Sequence, residues 1–169
     1  MKVKTTRFGT LDVAEKDLMV FPEGLVGFAG NKRFVIYSKE NNHPFFWLQS
    51  ADDPKLAFVI CDPAMFFPDY RISARKSELS TIGSTNPEDL IICVLVSISR
   101  EPFTMSANLQ GPLVINTKNR RGKQLVLVES NYGTRHPIPL KQETMGVPHP
   151  LLAQRARNSS SVENCLVLT

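Results

Sequence analysis

Three glycines stand at positions 24, 27 and 30 of the stretch VFPEGLVGFAG (residues 20–30). Glycines at short intervals are what a phosphate-cradling loop uses, together with a preceding strand and a following helix whose N-terminus faces the anion. This stretch fails that test. Gly24, Gly27 and Gly30 match neither phosphate fingerprint, the following KRFVIYS reads as a strand, and Glu23 would repel the anion. The adjacent carboxylates Asp52 and Asp53 raise the question of acid–base work. Neighbours in a turn point apart, however, and Asp before Pro is ordinary turn chemistry, as it is at Asp62-Pro63. His43, His136 and His149 each precede a proline and lie far apart in sequence, without metal-ligand spacing. Ser50 and Ser106 lack the turn context of an exposed nucleophile. Cys61 and Cys93 sit inside apolar runs and read as small buried residues; with Cys165 they form no CxxC pair. The residues therefore predict no catalytic group, no metal and no cofactor.

What the glycines do instead follows from their neighbours. Phe21, Leu25, Val26 and Phe28 flank a Pro22-Glu23-Gly24 turn. Gly24 and Gly27 permit backbone conformations closed to other residues. Two readings stand side by side: the apolar side chains are presented outward on a stiff loop, or they fold inward and plug one end of the fold. Alternate residues facing opposite ways would satisfy both.

The elements that must hold this loop are strands. RFVIYS (33–38), FFWLQ (45–49), LAFVIC (56–61), DYRIS (69–73), FTMSAN (103–108), PLVIN (112–116) and QLVLVE (124–129) are short, β-branched or aromatic runs. Turns rich in Asn, Asp, Pro and Gly separate them. LIICVLVSI (90–98) is apolar on both faces and predicts a central strand. Phe45, Phe46 and Trp47 alternate on one strand, so Phe45 and Trp47 share a face and Phe46 takes the other; Phe46 or Trp47 is expected in the core. TKNRRGK joins two strand runs as a hairpin. Helical signals are few. ARKSELSTIG holds one or two turns, and in TNPEDL Asn86 caps a single turn with Pro87 at its first position. The fold class is all-β: a small, single-domain, antiparallel, barrel-like fold with one or two short helical turns. Residues 1–140 form the domain. Residues 141–169 form a tail, with a short helix expected over 149–158 and a disordered or loosely docked end.

The net charge is +4 with a pI near 9.1, and from residue 100 onward nine Lys and Arg stand against four Glu. That balance raises RNA as a partner, but KNRRGK has no neighbouring aromatic for stacking and reads as a solvated hairpin tip. No run of about twenty apolar residues spans a membrane and no secretory leader begins the chain, so a cytoplasmic location is expected.

Several stretches, taken together, resemble the flagellar assembly factor family FliW: VFPEGLVGFAG, PFFWLQSADDPKLAFVICDP, FPDY, NPEDLIICVLVSI, MSANLQGPLVIN and RRGKQLVLV. They run in the family's order over roughly residues 1–140, and the likeness fades after RHPIPL (135–140). The resemblance implies a compact, non-enzymatic, cytoplasmic β protein with two protein partners. One is flagellin, for which it acts as a chaperone-like binder; the other is CsrA, which represses flagellin translation. Binding CsrA relieves the repression, and accumulating flagellin takes the factor away. An antagonist of an RNA binder should face it with negative potential. The expected partner-binding residues are Phe21, Pro22, Gly24, Leu25 and Phe28 of the apolar loop and, on the charge argument, Glu23, Asp52, Asp53, Asp62 and Asp69, all in the first seventy residues. The KNRRGK hairpin is expected to be dispensable for CsrA. The alternative is a direct RNA-binding β module, and a third reading is a small-molecule enzyme or sensor using the 20–30 loop.

Overall fold

The computed structural model describes residues 1–39, 42–83, 86–139 and 166–168. Its largest unit is a nine-stranded sheet. The path runs β11 (Gly122–Gln124), β10 (Leu113–Asn116), β8 (Leu90–Arg100), β6 (Ala57–Cys61), β5 (Phe46–Ser50), β4 (Arg33–Tyr37) and β3 (Leu18–Val20), with β9 (Phe103–Ala107) on β8 and β12 (His136–Pro137) on β9. Every pairing in it is antiparallel. The all-β, antiparallel expectation holds, while the barrel does not close. The path ends β3 and β11 meet only at one parallel bridge, Val20 to Arg121, where the Val20 amide donates to the Arg120 carbonyl at 2.8 Å.

Strand β8 organises the interior as its two apolar faces require. Leu90, Ile92, Val94 and Val96 join one core, while Ile91, Cys93 and Leu95 join the other. The first core is roofed by Tyr70, Leu79, Ile82, Leu125 and Ile138 from the segments that follow β6 and β11. The second is filled by Met19, Phe21, Leu25 and Phe34 together with Phe46, Leu48 and Ile60. Phe46 is 2% exposed, so the aromatic triplet divides as expected. Trp47 stays half-buried under the Arg7 guanidinium at 5.1 Å, and Phe45 stacks on Phe66 at 5.6 Å. Cys61 and Cys93 are buried, as their apolar surroundings predict.

Asn86 accepts from the Glu88 amide and opens a 3-10 turn, Pro87–Asp89, that leads into β8. Three further 3-10 turns occupy Glu15–Asp17, Pro63–Met65 and Ser80–Ile82; the last ends at left-handed Gly83. Among the strands that the sequence reading did not propose, besides β3 and β12, β1 (Lys2–Thr5) and β2 (Gly9–Asp12) form a hairpin whose Val3 meets Val35 in a small third cluster. The run 124–129 stops being a strand after Gln124. The Leu125 and Leu127 amides donate to the Pro112 and Gln110 carbonyls at 2.8 and 2.9 Å, so a loop takes the bonds a neighbouring strand would have made. DYRIS pairs later than expected, as β7 (Ile72–Ala74). The helix proposed over 149–158 lies outside the described residues. Near the end of the chain, β13 (Leu166–Leu168) pairs parallel to β7, so these three residues are docked in a ladder.

Candidate partner-binding surface

Residues 21–31 are three consecutive tight turns, the last closed by the Asn31 amide donating to the Phe28 carbonyl at 3.1 Å. The Gly24 amide donates to the Phe21 carbonyl at 2.9 Å, with Pro22 in the position its fixed φ suits. The Phe28 amide donates to the Leu25 carbonyl at 2.7 Å, with Gly27 at φ 83° where that turn demands a positive value. Gly24 is needed twice over. Its φ is 68°, and a Cβ there would lie 2.7 Å from the Ala29 backbone.

The loop is tied down from three sides. The Phe21 amide donates to the Lys32 carbonyl at 2.7 Å, and Lys32 Nζ donates to the Pro22 carbonyl at 2.8 Å. The Val26 amide donates to Gln124 Oε1 at 2.8 Å, and Lys123 Nζ meets Glu23 Oε1 at 3.1 Å. Both readings of the loop are therefore realised, by different residues. Phe21 and Leu25 are buried at 0% and 2% exposure, facing the second core. Val26 and Phe28 point outward at 67% and 38%, with the Phe28 ring edge-on to Phe58 at 5.1 Å. Val26 was named from sequence among the loop's apolar residues but not among the expected partner-binding residues. Its place just before Gly27, at a turn tip, was the available signal.

The acidic residues fall into two groups. Asp52 and Asp53 sit on the β5–β6 turn beside the loop. Asp52 Oδ2 accepts from the Lys32 and Arg33 amides at 2.9 and 2.8 Å, and Oδ1 accepts from Arg33 Nε at 2.7 Å. Asp53 accepts from the Lys55 amide at 2.9 Å, and Ser50 Oγ accepts from the amides of both aspartates. Asp62 and Asp69 follow the opposite end of β6. Asp62 accepts from the Ala64 amide at 3.0 Å and opens a 3-10 turn, while Asp69 is exposed. Phe21, Pro22, Glu23, Gly24, Leu25, Phe28, Asp52 and Asp53 are thus brought together; Asp62 and Asp69 are not. Glu23 and Asp52 each already hold a cation of this chain.

Burial of the Asp52 carboxyl would raise its pKa, but the Arg33 amide and guanidinium and the Lys32 amide outweigh that and hold it below its usual 3.8. The folded value is lower than the unfolded one. The clamp therefore contributes stability above the unfolded value, and that stability is lost as pH falls through the folded value. Replacing Asp52 with Asn should flatten the fall of stability below pH 3.8, measured by urea unfolding across the acid range. Parallel curves for the two proteins would contradict the clamp.

Among the described residues, no group of three or more His, Cys, Asp and Glu could hold a metal, and no helix is long and apolar enough to cross a membrane. The sequence pattern of the family described as FliW protein matches residues 2–138. The flagellar assembly factor FliW of Geobacter sulfurreducens is 38% identical over 138 residues, which cover 82% of this chain and 86% of that protein. The flagellar assembly factor FliW of Natranaerobius thermophilus is also 38% identical, over 82% of this chain and 92% of its own. A crystal structure of the flagellar assembly factor FliW superposes with a TM-score of 0.76 at 36% identity, covering 83% of this chain and 99% of that one. With two buried cores on one antiparallel sheet, a stiff apolar loop and a match over four fifths of its length, this chain belongs to the FliW family.

Proposed function

We propose that this protein is a non-enzymatic flagellar assembly factor of the cytoplasm, which binds CsrA, antagonises its repression of flagellin mRNA, and exchanges CsrA for flagellin as flagellin accumulates. The family match over residues 2–138 carries the reading. Its surface is the turn loop, where Val26 and Phe28 offer apolar groups on a backbone fixed by tandem turns, so little ordering entropy is lost on binding. Charge supports it less than the sequence suggested, because Glu23 and Asp52 are already paired within the chain. The apolar tip is the stronger candidate for the CsrA-facing centre.

The competing reading, direct RNA binding, needs free cations on the late basic segment. Several are engaged: Lys118 meets Asp89 at 2.8 Å, Lys123 meets Glu23 at 3.1 Å, and Arg121 Nε donates to the Thr81 carbonyl at 3.0 Å. A gel-retardation assay separates the two. The protein alone should leave a flagellin leader RNA unshifted at physiological salt, since sequence-independent phosphate binding collapses there, and should release RNA already held by CsrA. A tight shift by the protein alone at that salt would favour the RNA-binding reading instead.

A further inference from the structure

Strand β7 lies outside the nine-stranded sheet and forms a two-stranded ladder of its own with β13. The register pairs Leu166 with Ile72, Val167 with Ser73 and Leu168 with Ala74, all parallel. Leu166 is only 4% exposed and packs in the cluster that holds Ile72, Ala74, Leu79 and Ile82. The two strands differ in origin. The family match ends at residue 138, so β7 and the apolar residues around it belong to the family fold, whereas β13 lies beyond it. Without β13, the family part of the chain would present β7 as a bare strand edge over a hydrophobic seat. Such an edge is a template for an added strand.

The surroundings of β7 support the same reading. A groove of 540 Å³ is lined by Ile72 and Ser73 of β7 and by the apolar residues 125–128, together with the charged Arg71, Arg75, Glu78 and Glu129. Val126 and Val128 are 53% and 78% exposed, an apolar pair that the folding of this chain leaves to solvent. The strand seated on β7 shows what the edge accepts: a short, extended, uncharged Leu-Val-Leu segment.

We propose that the β7 edge is a strand-acceptor site for an extended apolar segment of a partner protein, and that Leu166–Leu168 is a tethered occupant competing for it. Main-chain bonds to β7 would supply affinity, and the seat filled by Leu166 would supply selectivity for a leucine-like side chain. Because the occupant belongs to the same chain, its pairing is intramolecular, and a free peptide competes against a high local concentration. Among the described residues the ladder spans three positions, so the occupant is displaceable. This proposal does not depend on the identity of the partners proposed above.

The probe is a fluorescein-labelled peptide with the sequence of residues 161–169, carrying serine in place of Cys165. Fluorescence polarisation compares the full-length protein with its full-length Leu166→Asp variant. The variant should bind the peptide at least tenfold more tightly than the parent, and adding Ile72→Asp to it should abolish that gain. Hydrogen exchange provides a readout independent of the peptide. Amides of Ile72–Ala74 should exchange faster in Leu166→Asp and recover their protection when the peptide is added, while those of β8 stay protected and show the fold to be intact. Equal peptide affinity in parent and variant, or unchanged exchange at β7, would overturn the proposal. A concentration-dependent dimer of the parent, with β7 protected only in the dimer, would overturn it too, by making a second copy's strand the occupant.

Discussion

Replacing Phe21 with alanine should lower stability by about 3–5 kcal/mol, whereas replacing Phe28 should cost about 1 kcal/mol or less. The two residues belong to one loop and one residue type, so their environments decide the difference. Phe21 is fully buried, with its ring edge-on to Phe34 at 5.5 Å. It also lies on bare backbone: a Cβ on Gly122 would come within 2.6 Å of the ring. Phe21 thereby joins the loop, β4 and β11 at the place where the sheet ends approach. Its removal leaves a cavity that strands on both sides are too constrained to fill. Phe28 has one ring neighbour and keeps 38% of its surface in water. Urea unfolding of both variants gives the comparison. A loss below about 1 kcal/mol for Phe21→Ala would contradict the placement of its ring.

That contrast also marks where sequence reasoning stopped. The inner strands of the central sheet, β4, β5, β6, β8, β9 and β10, were legible because β8 carries an apolar side chain on both faces, and because Phe46 and Trp47 must point apart; β3 and β12 at its margins were not. The Asn86-Pro87 turn was legible because capping is a local interaction. The β1–β2 hairpin went unread because only Val3 and Leu11 mark its inner face, between lysines and threonines. Inside the 20–30 loop no periodicity operates, so nothing in VFPEGLVGFAG says that Phe21 and Leu25 turn inward while Val26 and Phe28 turn out. Asp52 shows the same limit for charge. Its carboxylate could be counted in the sequence, but its engagement by Lys32 and Arg33, some twenty residues upstream, is a product of the fold.

Flagellin should lower the affinity of this protein for CsrA at least about tenfold, and CsrA should lower its affinity for flagellin by the same factor, because equilibrium coupling between two ligands is reciprocal. Tenfold corresponds to about 1.4 kcal/mol, the least that would make a useful switch. If both partners use the turn loop, exclusion is nearly complete. Phe28→Ala should then weaken both, at little cost to stability. Lysine at Asp52 and Asp53 should weaken CsrA more than flagellin, since only CsrA is expected to bring a strongly basic face. Part of that loss would come from releasing the clamp on Lys32 and Arg33, so Asp53→Lys alone is the cleaner variant.

The most direct test is to titrate flagellin into the preformed complex of this protein with CsrA, with calorimetry on each pair alone. The partner-switch account predicts that CsrA is released as flagellin binds, with the two affinities reduced by one common factor. A stable ternary complex in which both affinities are unchanged would contradict it.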